Sequence, residues 1–219
     1  MSSLRQEYCG DSETMDIPTR SRDELLAVCR FLHNFPCPWW LGGGWAIDAW
    51  LGNRSRDHED IEICVARHDQ GLIYAYCATW DFLTPVNDQW ASLPTGTQLA
   101  APQFMLQLQQ ATHTQVTESG MPPTFEFLLN EVDGSQWKFY RNPEIQFPIA
   151  AITDRSPWGM PVTRPELLLL HKAVYQPRPK DDLDFQRMLP HLNTAQRLWL
   201  REAILSMHRD HPWITYLAE

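Results

Sequence analysis

The sequence lacks the cysteine pattern of a zinc site or of a disulfide framework. It contains five cysteines, an odd number, and none of them forms a C-x-x-C pair. Free cysteines persist most readily in a reducing compartment. The cysteine usage therefore excludes a small disulfide-stapled domain and favours a cytoplasmic protein.

Long apolar runs are also missing. Residues 1–16 are polar and acidic, without the apolar core of a signal peptide, and no later stretch approaches the length of a membrane-spanning helix. We therefore expect a cytoplasmic protein with no membrane partner, in which residues 1–17 form a flexible N-terminal tail.

Basic residues are scarce relative to acidic ones. The chain has 18 Lys and Arg against 27 Asp and Glu, which gives a formal net charge of −9, and most of the acidic excess precedes residue 161. Because a nucleic-acid-binding surface must be basic, no nucleic-acid partner is expected. A small cationic molecule would be attracted, although surface acidity that serves only solubility explains the charge equally well.

The chain does contain enough apolar sequence for a core, since 43% of its 219 residues are hydrophobic. Its apolar patterning predicts both helices and strands. The predicted helices are residues 23–32, 42–51, 67–79, 165–175, 181–189 and 194–208. The predicted strands are residues 59–65, 80–83, 124–130 and 136–141. We therefore predict an α+β protein, with a mixed sheet and flanking helices over residues 18–151 and an all-helical domain over residues 152–219.

A glycine turn at residues 42–44 follows an aromatic stretch and precedes the predicted helix that stops at Gly52. Such a turn exposes backbone N–H groups at a helix N-terminus, and the missing side chains allow an anion to approach closely. The turn therefore predicts a phosphate site at Gly43 and Gly44.

Two carboxylates follow shortly after this helix. Asp60 and Glu62 are two residues apart in the predicted strand at residues 59–65, so their side chains should point to the same face. Two like charges on one face repel each other unless a counter-charge neutralises them, and Mg²⁺ is the usual one where phosphates are bound. Together, the glycine turn, the helix and the strand with its two acids supply the backbone N–H groups and the carboxylates that bind a nucleoside triphosphate and its metal ions.

The sequence Gly-Gly-Trp-Ala-Ile-Asp at residues 43–48, followed by His-Glu-Asp-Ile-Glu-Ile at residues 58–63, resembles the nucleotidyltransferases of the DNA polymerase β superfamily. Within that superfamily it is similar to the aminoglycoside 2''-adenylyltransferase and lincosamide nucleotidyltransferase group. The resemblance extends from about residue 23 to about residue 192, because residues 125–131 and 172–185 also follow the family's pattern. One departure is Glu62, where the family usually has Asp.

The resemblance implies a magnesium-dependent enzyme, with two metal ions, that moves AMP from ATP to a hydroxyl of a small polar acceptor such as an aminoglycoside. Asp60 and Glu62 would hold the metals. Glu126, the single charge inside the apolar residues 125–129, would complete the metal site or accept the proton of the acceptor hydroxyl. The alternatives are that Glu131 has this role, or that Glu126 is an edge-strand acid facing water.

Four basic side chains complete the predicted nucleotide site. Lys172 lies in an otherwise apolar helix, where its amine must reach solvent or an anion, and the family's helical domain closes over the triphosphate with such a lysine. Lys180 is a second phosphate candidate. Arg56 is either a phosphate contact or a solvated charge. His58 matches the family's histidine at this position, and its alternative is a hydrogen-bonded structural role.

Two other functions fit the same residues. One is nucleotidylation of a protein or an RNA by a toxin-like member of the superfamily, and here the acidic net charge disfavours RNA. The other is a nucleotide-binding or scaffold protein whose chemistry has lapsed, for which Glu62 is the sequence indication.

Overall fold

The computed structural model describes residues 19–58, 60–87, 89–110, 124–173 and 177–218. The predicted tail at residues 1–17 and the end of the predicted helix at residues 174–175 lie outside this part of the chain. No helix within the described ranges is long and apolar enough to cross a membrane.

The described residues form six α-helices and ten strands. The helices are α1 (Thr19–Phe31), α2 (Gly43–Leu51), α3 (Gln70–Tyr76), α4 (Pro165–Lys172), α5 (Pro179–Met188) and α6 (Thr194–Met207). The strands are β1 (Trp39–Leu41), β2 (Glu62–Ala66), β3 (Trp80–Val86), β4 (Gln89–Ser92), β5 (Met105–Gln110), β6 (Thr124–Asp133), β7 (Gln136–Phe139), β8 (Asn142–Pro148), β9 (Thr153–Arg155) and β10 (Pro161–Thr163). Each predicted helix and strand is present, with shifted ends.

Eight strands form a continuous path in the order β4-β3-β5-β6-β2-β1-β10-β9. The sheet is mixed, because β2 runs parallel to β6 and β1 runs parallel to β10, whereas the other neighbours are antiparallel. The far end of β6 leaves this path and pairs with β7, which in turn pairs with β8. The predicted α+β fold, a mixed sheet with flanking helices and with helices at the C-terminal end, is confirmed.

Two strands lie after residue 152, where we predicted only helices. We predicted that residues 152–219 are all helical, but β9 and β10 belong to the sheet and the helices begin only at Pro165. Each of these strands has three residues, which is too short for an alternating pattern to be visible in the sequence. The division of the chain into two domains at residue 152 stays a prediction.

The glycine-to-helix connection forms as the sequence indicates. Helix α2 begins at Gly43 and ends at Gly52, whose φ of 73° is the left-handed conformation that closes many helix C-termini. The helix is almost entirely buried, and it contacts β2, β10, α4 and α5. It therefore lies between the sheet and the C-terminal helices, with its N-terminus beside β2.

A buried polar cluster joins α4 to α6. The carboxylate of Glu166 is only 2% exposed. It accepts hydrogen bonds from Arg164 Nε at 2.8 Å and from Gln196 Nε2 at 2.7 Å. Because Gln196 belongs to α6, this carboxylate ties two of the C-terminal helices together.

We expect Glu166→Ala to lower the free energy of unfolding by about 1–3 kcal/mol, because the buried amide of Gln196 loses its acceptor. The measurement is urea denaturation followed by circular dichroism. Glu202→Ala is the matched control, since Glu202 is an exposed residue of the same α6, and its effect should stay within about 0.5 kcal/mol. Equal effects of the two variants would contradict a stabilising role for this cluster.

Candidate functional site

A cavity of about 770 Å³ lies where the sheet meets the C-terminal helices. Its walls come from the turn before α2, from the segment between α2 and β2, from the middle of β6, and from α4 and the start of α5. The predicted site residues that line it are Gly43, Gly44, Arg56, His58, Asp60, Glu62, Lys172 and Lys180. The structure thus brings eight of the nine predicted residues to one cavity.

Glu126 does not line this cavity, but it lies beside Glu62. The parallel strands β2 and β6 pair Glu62 with Glu126 in register, and directly paired residues of neighbouring strands project to the same face. Glu126 is 4% exposed and accepts a hydrogen bond from Gln107 Nε2 at 3.3 Å. The alternative, an edge-strand acid facing water, is therefore wrong, because β6 lies inside the sheet between β2 and β5.

Asp60 lies just outside the strand. We predicted a strand over residues 59–65, but β2 begins at Glu62, and Asp60 belongs to the exposed segment before it. The pKa of Glu62 and that of Glu126 are both raised to about 7, chiefly by burial and next by the charge of Asp60. The three carboxylates therefore form one repelling cluster at the start of β2.

The glycine turn leaves space for the carboxylate of Glu62. Gly43 has a φ of 58°, and a Cβ atom there would overlap the carboxylate of Glu62. A Cβ atom on Gly44 would overlap the ring of His58 and lie 2.6 Å from a guanidinium nitrogen of Arg56. The Gly44 N–H donates a hydrogen bond to the Glu62 carboxylate. Both glycines are needed because side chains of the site pack against the turn, and the helix N-terminus faces an anionic group.

His58 has the structural role that was its alternative. Its Nε2 lies 2.6 Å from Oδ2 of Asp48, which is fully buried in α2, and its ring packs 4.6 Å from that of Trp45. The sequence analysis assigned no role to Asp48. This residue fixes the His58 ring against the glycine turn, and its position inside an apolar helix was the available signal.

Arg56 and Lys172 share a buried acid for which no role was predicted from the sequence. Asp184 in α5 is fully buried and accepts from Arg56 Nε at 3.4 Å and Arg56 Nη2 at 3.2 Å. The ammonium group of Lys172 lies 2.8 Å from Asp184 and 3.6 Å from Asp181. Asp184 thus joins Arg56, in the segment before β2, to Lys172 of α4. It lies three residues after Asp181, beyond the first turn of α5, where an acid would stabilise the helix N-terminus.

Lys180 is exposed at the start of α5 and lines the cavity. The charges of Lys172 and Lys180 both act to lower the pKa of Glu62, against the larger effects of burial and Asp60. Cations from the C-terminal helices therefore face the carboxylate cluster across the cavity.

Glu131, the alternative to Glu126 as the third carboxylate, is neutralised by Arg67. Its carboxylate forms an ion pair with Arg67 Nε, and the same guanidinium group donates to the carbonyl oxygens of Gln103 and Leu99. Glu131 lines the cavity, but it lies five residues along β6 from Glu126, about 16 Å away. It is not part of the carboxylate cluster.

The donor set suits a hard divalent cation, because Asp60, Glu62 and Glu126 offer only oxygen atoms and lack enough counter-charge. In the described ranges no three Asp, Glu, His or Cys side chains are arranged closely enough to hold a metal. The Glu62 carboxylate faces the glycine turn and accepts a hydrogen bond from the Gly44 N–H. The residues fit a magnesium site if the longer Glu62 side chain rotates away from the turn.

The pKa shifts of Glu62 and Glu126 predict how pH affects Mg²⁺ binding. Both groups hold protons more tightly when folded, so their contribution to stability is present at low pH and is lost between about pH 4.5 and pH 7. Mg²⁺ competes with those protons. We expect Mg²⁺ to raise the melting temperature more at about pH 8 than at about pH 6, measured by differential scanning fluorimetry. The Glu62→Gln/Glu126→Gln protein should lose this difference, and an unchanged difference would contradict the assignment.

Comparisons with known proteins agree with the predicted resemblance. The sequence profile of the aminoglycoside-2''-adenylyltransferase family matches residues 24–84. A 2''-aminoglycoside nucleotidyltransferase from Escherichia coli and one from Klebsiella pneumoniae are each 47% identical to this chain over 38 residues. Those residues make up 17% of this chain and 22% of each relative, so the match spans about a fifth of the length of these curated proteins.

Two solved structures share the fold. One is ANT(2'')-Ia in complex with adenylyl-2''-tobramycin, which is 16% identical with a TM-score of 0.56, over 85% of this chain and 98% of that one. The other is the lincosamide antibiotic adenylyltransferase LnuA with lincomycin bound, 17% identical with a TM-score of 0.51, over 75% of this chain and 94% of that one. The resemblance to this nucleotidyltransferase group, predicted from the sequence, is confirmed.

Proposed function

We propose that this chain is a magnesium-dependent nucleotidyltransferase that moves AMP from ATP to a hydroxyl group of a small polar acceptor and releases pyrophosphate. The carboxylate cluster carries this proposal. Asp60, Glu62 and Glu126 lie together, beside a helix N-terminus whose N–H groups already face an anionic group. The profile of the aminoglycoside-2''-adenylyltransferase family matches residues 24–84, which include Asp60 and Glu62. The names of those relatives make an aminoglycoside a candidate acceptor.

The carboxylates would share the chemical work. Asp60 and Glu62 would hold Mg²⁺ by their oxygen atoms, with Glu126 completing the ligand set or acting as the base. Bound Mg²⁺ neutralises the charge that develops on the transferred phosphoryl group. The acceptor oxygen forms a bond to the α-phosphorus while the bond to the pyrophosphate oxygen breaks. In the second of these roles, Glu126 takes the hydroxyl proton, which its raised pKa favours.

The cations and the glycine turn would position the triphosphate. Gly43 and Gly44 offer N–H groups to a phosphate oxygen once the Glu62 carboxylate has turned to the metal. Arg56, Lys172 and Lys180 line the same cavity, where their charges would contact the β- and γ-phosphates. Asp184 holds Arg56 and Lys172 at this place. The helices from Pro165 onwards would thus close over the nucleotide, and His58 would keep the turn in shape.

Asp60→Asn should abolish pyrophosphate release from ATP and leave the fold intact, because Asp60 is exposed and contributes little to packing. The measurement is an enzyme-coupled pyrophosphate assay with a panel of hydroxyl acceptors. Asp57→Asn is the matched control, since Asp57 lines the same cavity but is paired with Arg54, and it should keep its turnover. Full activity of Asp60→Asn would exclude a metal site at this cluster. ATP binding by the parent protein without transfer to any acceptor would support a lapsed enzyme instead.

Glu126→Gln should reduce turnover by about 10² to 10⁴, the usual loss when a general base is removed, while ATP binding persists. Glu131→Gln serves as the comparison, because its carboxylate is bound to Arg67 and lies outside the cluster. Nucleotide affinity by fluorescence titration, measured beside turnover, separates loss of binding from loss of chemistry. If Glu131→Gln lost turnover and Glu126→Gln kept it, Glu126 would not be the third carboxylate.

A further inference from the structure

The part of the cavity away from the carboxylate cluster has an aromatic wall, which we define as Phe104, Trp137, Tyr140 and His171. The rings of Phe104 and Tyr140 have centroids 4.4 Å apart. Tyr140 and His171 are nearly parallel, with an angle of 18° and a separation of 6.1 Å. Trp137 contacts His171 edge-on at 5.8 Å. These packed rings present an apolar surface to the cavity.

The distance between the aromatic wall and the carboxylate cluster is about the length of a small molecule. The indole N–H of Trp137 donates to Asn130 at 2.9 Å, and Asn130 lies four residues along β6 from Glu126, about 13 Å. Leu128 lies between them and lines the cavity. A ligand whose ring packs on the wall can therefore reach the carboxylate cluster with a hydroxyl group at its other end.

Carboxylates that could bind ammonium groups are already paired. Besides Asp60 and Glu62, the acids among the described lining residues are Asp57, Glu131 and Asp181. Asp57 pairs with Arg54, Glu131 with Arg67, and Asp181 with both Arg178 and Lys172. A ligand with several ammonium groups needs several unneutralised acids, and this part of the cavity offers none beyond the metal site.

Two basic side chains border the aromatic wall, and one of them is paired with an acid, since Lys138 Nζ lies 2.7 Å from Asp133 Oδ2. The guanidinium group of Arg141 lies 4.8 Å from the ring centroid of Tyr140. Arg141 and Lys138 both line the cavity. The side chain of His171 is exposed and lines the cavity. The wall therefore offers ring faces to a ligand, and the described acids beside it are already paired.

We infer that the acceptor is an uncharged hydroxyl compound with an apolar or aromatic ring face, rather than a polyamine, and that its ring packs on the aromatic wall. This inference rests on the proposed function for the carboxylate end of the cavity, and the transfer step stays as written there. The acceptor class comes from the contrast between the packed rings and the absence of unpaired acids among the described residues around them.

Saturation-transfer difference NMR on the full chain tests this inference. The probes are phenyl β-D-glucopyranoside, which is uncharged, and tobramycin, which carries several ammonium groups; Mg²⁺ and the non-hydrolysable analogue AMPCPP are present in both experiments. We expect saturation of the phenyl protons and none of the tobramycin protons. Tyr140→Ala should weaken phenyl glucoside binding by about twofold to tenfold. Tyr216→Ala should not, since Tyr216 is an exposed residue elsewhere on the chain.

Leu128→Glu provides a second variant that does not depend on removing a ring. It places a charged carboxylate beside the aromatic wall, so saturation of the phenyl protons should fall. Tobramycin binding to the parent protein, no binding of phenyl glucoside, or phenyl glucoside binding only when AMPCPP is omitted would overturn the inference; the last result would assign the wall to the nucleobase. Failure of AMPCPP itself to bind would instead count against the proposed function and leave the wall's preference for uncharged rings standing.

Discussion

The side-by-side placement of Glu62 and Glu126 on parallel strands is the constraint on which the rest of the site depends. In-register pairing forces the two carboxylates onto one face, and Asp60 adds a third charge. Such a cluster is costly without a counter-charge. The fold meets this cost in part by presenting Gly44 N–H and two lysines to Glu62, and a divalent cation would meet the remainder. This charge imbalance is the physical basis of the proposed transfer chemistry.

The C-terminal helices are joined to this cluster by buried charges. Asp184 binds Arg56, which precedes β2, and Lys172, which ends α4. One carboxylate therefore fixes two cations from different parts of the chain at the same cavity. If both cations contact the triphosphate as proposed, Asp184 would couple nucleotide binding to the contact between sheet and helices.

The local parts of the site could be predicted from the sequence, and the long-range parts could not. The glycine turn, the acids at 60 and 62, and Glu126 each stand out against apolar neighbours, so periodicity and charge identified them. Asp184 resembled an ordinary acid near a helix start, and its role depends on Arg56, 128 residues earlier. Strands β9 and β10 were missed because each has only three residues, and they are defined by pairing with each other and, for β10, with β1.

A crystal structure with Mg²⁺ and AMPCPP tests the central claim most directly. We expect a metal ion between Asp60, Glu62 and the α-phosphate, with the Glu62 carboxylate turned away from Gly44 and the β- and γ-phosphates next to Lys172. A nucleotide bound elsewhere, or bound here while Glu62 still accepts from Gly44 and no metal contacts Asp60, would contradict it.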